Sequence, residues 1–391
     1  MSDLMKRAEE LKDVIVKDRR TIHETPEINA ELPETTKYVI KCLKEMGYEP
    51  KEICNCGVVA TTTPKPGKVL LLRADMDALP MQETSGVDFA SKNNYAHTCG
   101  HDCHTAILLG AARLLKERED ELEGTVKFMF QPDEEGLTGA QAMIDAGVME
   151  NPKVDGAFGM HITGEGLPCG HIGFHEGPFM ASSDRFTITI HGKGGHGAYP
   201  HTNIDPINVA AHTHIALQEI ISREVNTAEP AVLTIGSIHA GDAPNIIPEY
   251  AVMEGSIRTY NNDVREYIKS RLVEIAQYTA LKFRCTAEVV YTGGVCPLIN
   301  ESAFTKEMHG YISDFLGADK LHEIPAVMGS EDFALLTGLV PGAFFNIGAE
   351  VADPEGRYSC HNPNVVFDES ALPIGAATFA NCAIQWLKNN K

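Results

Sequence analysis

The feature that most restricts how this chain can fold is the apolar run Val69-Leu70-Leu71-Leu72, which leads directly into Arg73-Ala74-Asp75-Met76-Asp77. A strand that is apolar at successive positions has both faces buried, the condition of a strand covered by helices on either side rather than of a sheet with one wet face. The pattern recurs downstream. Thr125 to Gln131 reads as a strand that runs out in Pro132-Asp133-Glu134-Glu135, and a further apolar run ends at Gly159-Met160-His161. In open α/β sheets the ligand site lies where strands end. The acids and the histidine at these ends are therefore candidates by position.

Between the first two strands lies the densest cluster of ligand-type residues in the chain, His97-Thr98-Cys99-Gly100-His101-Asp102-Cys103-His104, followed by the helical run Ala106 to Ala112. A thiolate and an imidazole two positions apart in a turning segment can face one ion. The alternative is a loop of scattered polar residues. Asp75 and Asp77 are either second-layer acids that orient a ligand histidine or part of a solvated turn. Adjacent glutamates point different ways, so one of Glu134 and Glu135 can ligate a metal while the other activates water. Cys360-His361-Asn362-Pro363 adds a late metal-compatible pair, whereas His23, in the polar turn His23-Glu24-Thr25-Pro26-Glu27, reads as a surface residue.

A chain of 391 residues is long enough for a large core and for two domains. Its net charge of −21 disfavours binding to nucleic acid or to an anionic membrane. The start reads as a charged amphipathic helix rather than a leader, and no apolar run approaches a bilayer span. The expectation is a cytoplasmic protein whose ten cysteines are ligands or buried thiols rather than disulfides.

Taken in order, residues 4–20 and 34–46 read as helices, the second stopping at Gly47. From Arg185 the texture changes: a strand to His191, a helix over 206–223, strands 231–239 and 250–260, a helix over 263–281 and a strand 283–291. That order, β-α-β-β-α-β, is the ferredoxin-like split unit. The predicted organisation is an α/β, mixed-sheet catalytic domain over 1–182 and 294–391, interrupted by an α+β insert over 183–293. Within the insert, Gly192 to Ala198 is a glycine-rich loop around His196, and it lacks the ending of a phosphate-binding loop. Asn245 and Arg258 are single polar residues among apolar ones.

Together, Arg73 to Pro80, His97 to His104, Gln131 to Glu135, Met160-His161, Gly192 to Pro200, Asn245 to Pro248, Met328 to Phe333 and His361 to Pro363 resemble the metal-dependent aminoacylase and carboxypeptidase family. Within it they are most similar to the branch of hippurate hydrolases, N-acyl-amino-acid amidohydrolases and auxin-conjugate hydrolases. The resemblance implies a metallopeptidase-type catalytic domain with a lid or dimerisation domain inserted. It implies two divalent ions per subunit held by Cys99, His101, Glu135, His161 and His361. It gives Glu134 the part of general base and Asp77 that of the acid behind a ligand. His196 matches a histidine that polarises the scissile carbonyl, often across a dimer interface, and Asn245 and Arg258 match residues near the substrate carboxylate or oxyanion. Where many relatives begin the first motif with a ligand histidine, this chain has Asp75, and Cys99 makes up the donor. A thiolate favours zinc, while the other donors accept manganese, cobalt or nickel.

Three readings compete: hydrolysis of an N-acyl amino acid carrying an acetyl, benzoyl or other aryl-acyl group, a metallo-dipeptidase or carboxypeptidase on the same scaffold, and a catalytically silent metal-binding or lid-mediated assembly protein. The retained Glu134 argues against the third, since a structural site has no use for a base beside its ligands. A homodimer or higher homo-oligomer through the insert is expected, with no nucleic-acid or membrane partner.

Overall fold

The computed structural model describes residues 2–391. Contacts divide the chain into two compact units. One runs to Gly177 and takes up Ile299–Pro325 and Leu335–Lys391; the other comprises Pro178–Leu298 and Ala326–Ala334.

The first unit is built on an eight-stranded mixed sheet. Its centre is a block of parallel strands in the spatial order Thr125–Gln131, Val69–Asp75, Gly156–Thr163, Gly342–Gly348. Antiparallel strands flank this block on both sides, Gly57–Thr61 beyond Thr125–Gln131 and Ile172–Phe174 beyond Gly342–Gly348, and Lys51–Cys54 and Leu321–Glu323 form the two edges. Every residue of Val69–Asp75 and Thr125–Gln131 is buried, as continuous apolar runs require. The helices His101–Glu117 and Ala371–Asn389 pack on each other. They approach closely because glycines stand at the crossing: a Cβ on Gly110 would meet Ala376 Cβ at 2.8 Å, and one on Gly375 would meet Ile107 at 3.0 Å.

The stretch expected to be one helix over 4–20 is two, Asp3–Glu10 and Lys12–His23, jointed at Leu11. The first packs chiefly on Ala371–Asn389 and the second on His101–Glu117. The joint re-aims the apolar stripe from one partner to the other.

The second unit is a four-stranded antiparallel sheet in the order Ala231–His239, Tyr250–Thr259, Ser183–His191, Thr286–Val295. Helices Pro206–Glu219 and Asn262–Lys282 complete the ferredoxin-like β-α-β-β-α-β order. Asp205 and Asn261 cap these helices, each accepting from two backbone N–H groups of the first turn. The core draws alternate residues, Phe186, Ile188 and Ile190, from the central strand and Ile268, Leu272 and Ala276 from one helix face. Two of the predicted boundaries move: the helix from Pro206 ends at Glu219 in a π-turn over Ile220–Glu224, and the last strand begins at Thr286 rather than 283. Among the described residues no helix is long and apolar enough to cross a membrane.

Candidate metal centre

The ends of the parallel strands bring the sequence motifs of the first unit together. Val69–Asp75 delivers Arg73 and Asp75, with Asp77 just beyond it; Thr125–Gln131 leads to Glu134 and Glu135; Gly156–Thr163 carries His161. Gly100, at φ +86°, turns the chain from Cys99 into the helix that starts at His101. That left-handed turn suits glycine, which has no side chain to clash there. His361 arrives from far along the chain, its backbone N–H donating to Thr98 O at 3.0 Å.

The donors converge. Cys99 Sγ lies 3.4 Å from His161 Nε2 and 3.2 Å from His361 Nε2. His361 Nε2 is also 3.2 Å from Glu135 Oε1. Three groups, Cys99-His101-His161, Cys99-Glu135-His361 and His101-Glu134-Glu135, each hold their ligand atoms within 4.8 Å of one another. His161 Nδ1 sits 2.6 Å from Ile162 O and so carries the hydrogen and donates it, leaving the Nε2 lone pair to face the thiol.

Asp77 has two tasks. Its Oδ1 lies 3.4 Å from His101 Nδ1, and its oxygens accept from Glu134 N at 3.0 Å and Glu135 N at 3.1 Å. One buried carboxylate thus lies against the His101 imidazole and pins the backbone of both glutamates. Asp75 is differently engaged: Arg73 Nη1 donates to it at 2.6 Å and His104 Nδ1 at 2.6 Å. Burial opposes its charge, but Arg73, His101 and His104 hold the carboxyl well below its usual range. Because His104 Nε2 accepts from Ile162 N at 2.8 Å, both of its nitrogens are taken. Burial first, against the pull of Asp75, lowers His104 to about 4 and keeps it neutral. His104 is therefore a brace, while His101, one helical turn earlier, faces the centre.

These residues fit a divalent ion. Burial alone would push His101 down, but Asp75, then Asp77 and Glu135, raise it to about 10. The surroundings thus stabilise positive charge at a buried ring. Neither ring nitrogen of His101 has a well-aligned hydrogen bond, and the same holds for Glu135 Oε1. Thiolate, imidazole and carboxylate together form a donor set that zinc and its neighbours in the first transition row accept.

A model of peptidase family M20/M25/M40 matches residues 71–385. The chain belongs to that family. Among curated relatives it is 39% identical over 360 residues to an N-acetyl-L-cysteine deacetylase of Bacillus subtilis, covering 90% of this chain and 83% of the relative. It is 38% identical over 384 residues to thermostable carboxypeptidase 2 of Saccharolobus solfataricus, covering 96% of each. The solved structure of a dinuclear metal binding peptidase of the M20 family from Bacillus subtilis superposes with a TM-score of 0.83 at 35% identity, over 97% of this chain and 99% of the other. As a member of the family, the chain is a metal-dependent hydrolase of amide or peptide bonds.

The remaining candidates, His196, Asn245 and Arg258, lie in the second unit. Exposed His196 sits in the short strand Gly195–His196, which pairs with Ile246–Ile247, and Gly197 N donates to Asn245 O at 2.8 Å, so the His196 and Asn245 loops adjoin. His196 Nδ1 accepts from Ala198 N at 3.1 Å, which leaves Nε2 as the hydrogen-bearing, donating atom. Half-buried Arg258 gives Nη1 to Ser330 Oγ at 2.8 Å, and among the described residues no carboxylate pairs with it.

Sequence reasoning passed over three participants. Arg73 clamps Asp75 and also bonds Gln131 Oε1 at 2.9 Å; its signal was a lone guanidinium at the end of an apolar strand. His104 lay in the motif but could not be told from its neighbours by spacing. His23, expected at the surface, is 5% exposed. It bonds Asp102 Oδ2 through Nδ1 at 2.8 Å and both Glu83 oxygens through Nε2 at 3.2 Å, while Arg19 Nε reaches the same Asp102 oxygen at 2.9 Å. The turn is polar because it feeds a buried ion network under the start of the helix that carries His101.

Proposed function

We propose that the protein hydrolyses the amide bond of a small N-acyl amino acid, releasing a carboxylic acid and the free amino acid. The observation that carries this reading is a division of labour at the strand ends. Cys99, His101, Glu135, His161 and His361 supply converging ligand atoms, and Glu134 adds a further buried carboxylate within 4.8 Å of the His101 and Glu135 donors. The deacetylase relative supports the acyl-amino-acid class.

Two divalent ions, drawn from zinc, manganese, cobalt and nickel, would polarise the amide carbonyl and acidify water. Glu134 accepts the proton that water gives up and returns it to the departing nitrogen. Asp77 holds Glu134 and Glu135 by their amides, so the base and the ligand keep a fixed separation. His196 donates from Nε2 to the carbonyl oxygen as charge builds there. Arg258 presents its planar fork to the free carboxylate of the amino acid, with Asn245 beside the oxyanion. The assignments for the second unit are supported by the resemblance of their motifs, by the His196 tautomer and by the missing acid partner of Arg258.

Exchanging Glu134→Gln should leave bound metal unchanged and lower kcat by about 10²-fold or more; turnover at the native rate would sink the mechanism. The carboxypeptidase relative favours a second reading, peptide hydrolysis on the same scaffold. A panel of N-acetyl and N-benzoyl amino acids beside free dipeptides separates the two, because only the peptidase needs a place for a free α-amino group. A homodimer through the second unit is supported by its edge strand Ala231–His239, which exposes Val232 and Ile238; a monomeric mass in solution would refute it. Ten free cysteines support a reducing, cytoplasmic setting.

A further inference from the structure

Beside the Cys99 thiol lies a second sulfur for which hydrolysis has no use. Cys360 immediately precedes His361, whose backbone N–H donates to Thr98 O at 3.0 Å and so lays residues 360–361 alongside 98–99. Cys360 Sγ is 4.0 Å from the Cys99 carbonyl oxygen and 3.8 Å from that of Ile162. His361, whose imidazole touches Cys99 Sγ at 3.2 Å, has a side chain 53% exposed, so a small solute can reach the pair from that side. A sulfur that serves as a ligand is thus placed next to a sulfur that could take it out of service.

We propose that Cys99 and Cys360 form a reversible disulfide, closed by a hydroperoxide when no metal ion holds the Cys99 sulfur. One thiolate attacks the peroxide oxygen and breaks the O–O bond, and the other oxygen leaves with a proton as alcohol, or as water from hydrogen peroxide. The second thiol then attacks the sulfur of the resulting sulfenic acid, forming the S–S bond and releasing water. Two thiols are oxidised by two electrons in total, and the peroxide is reduced by the same two. The oxidised pair has no thiolate to offer at position 99, so peroxide exposure without metal would lower subsequent metal uptake until a dithiol reverses it. Formation of the link is independent of the hydrolase reading; its competition with metal rests on Cys99 being a ligand.

The test uses the full chain, stripped with a chelator or loaded with zinc, treated with hydrogen peroxide, alkylated, digested and mapped by mass spectrometry. In the stripped protein the expected result is a peptide joining Cys99 to Cys360, about 2 Da lighter than its reduced parts and lost with dithiothreitol. Of the ten thiols, two should disappear together. Zinc loading should slow the reaction at least about tenfold, because a coordinated sulfur is less available for attack. Cys360→Ser should abolish the link and leave Cys99 as a trapped sulfenic acid. If Cys99 goes on to sulfinic acid without the link, or the link joins other cysteines such as Cys54 and Cys56, the proposal is overturned. Equal rates with and without zinc would overturn the competition with metal and would count against Cys99 as a ligand, which separates that failure from absence of the disulfide.

Discussion

His23 should make the first unit lose stability between neutral and alkaline pH. A carboxylate stands at each of its ring nitrogens, Asp102 at Nδ1 and Glu83 at Nε2, and a neutral imidazole can donate from only one nitrogen. The geometry calls for the imidazolium. Burial opposes that charge and Arg19 repels it, but the Asp102 charge and hydrogen bond, with Glu83, raise His23 from 6.5 to about 9. At about 1.4 kcal/mol per pH unit this is worth roughly 3 kcal/mol. The folded value lies above the unfolded one, so the contribution is fully present below 6.5 and is lost as pH rises through about 9. Replacing His23→Gln removes the titrating group. Urea unfolding of chelator-treated protein, followed in steps from about pH 6 to about pH 9.5, should show wild type ahead of the variant by roughly 3 kcal/mol at the acid end and converging with it at the alkaline end. Stripping the metal keeps ligand protonation from being coupled to ion release. A wild-type to His23→Gln difference that stays constant with pH would refute the imidazolium assignment.

Other perturbations have equally direct readouts. Gly100→Ala places a Cβ 2.3 Å from Ile162 Cγ2 at a φ of +86°, so it should cost about 1–3 kcal/mol and weaken metal binding by calorimetry; unaltered affinity would mean the turn is not needed to aim Cys99 and His101. Buried Lys127 donates from Nζ to the carbonyls of Val148, Glu150 and Pro152 at 2.8, 2.8 and 2.7 Å. Lys127→Met should destabilise by at least about 2 kcal/mol in thermal unfolding, and an unchanged Tm would show that water replaces the ammonium. Removing metal should lower the unfolding temperature, with about 2.7 kcal/mol lost for each ion relative to protein held at a hundredfold excess over Kd; a chelator without effect on Tm would argue against ion binding by this donor set.

Much of the fold was legible locally. Val69–Asp75 and Thr125–Gln131 announce themselves as buried strands because both faces are apolar, and the alternation of Phe186, Ile188 and Ile190 marks a half-covered strand. These signals depend on near neighbours in the chain, so periodicity carries them. The joint at Leu11 does not show in that way, since it is set by which partner each half-helix packs against. Nor does the spatial order that slots Val69–Asp75 between Thr125–Gln131 and Gly156–Thr163, or the grouping of Ala326–Ala334 with the second unit.

The candidate site divides along the same line. Residue types and their places at strand ends singled out the cluster from Cys99 to His104, Glu134, Glu135, His161 and His361, because chemistry needs those side chains where a strand stops. Which imidazole of the cluster faces the centre was decided by packing: Asp75 and the Ile162 amide occupy His104, and that leaves His101 turned toward Asp77 and the glutamates. His23 reads as a surface residue until Asp102, Arg19 and Glu83 close around it. Sequence alone determined which donors and bases the chain possesses and the elements that carry them. Tertiary structure decided which lone pairs are left free, because a nitrogen or oxygen is committed only when a residue far along the chain arrives to bond it.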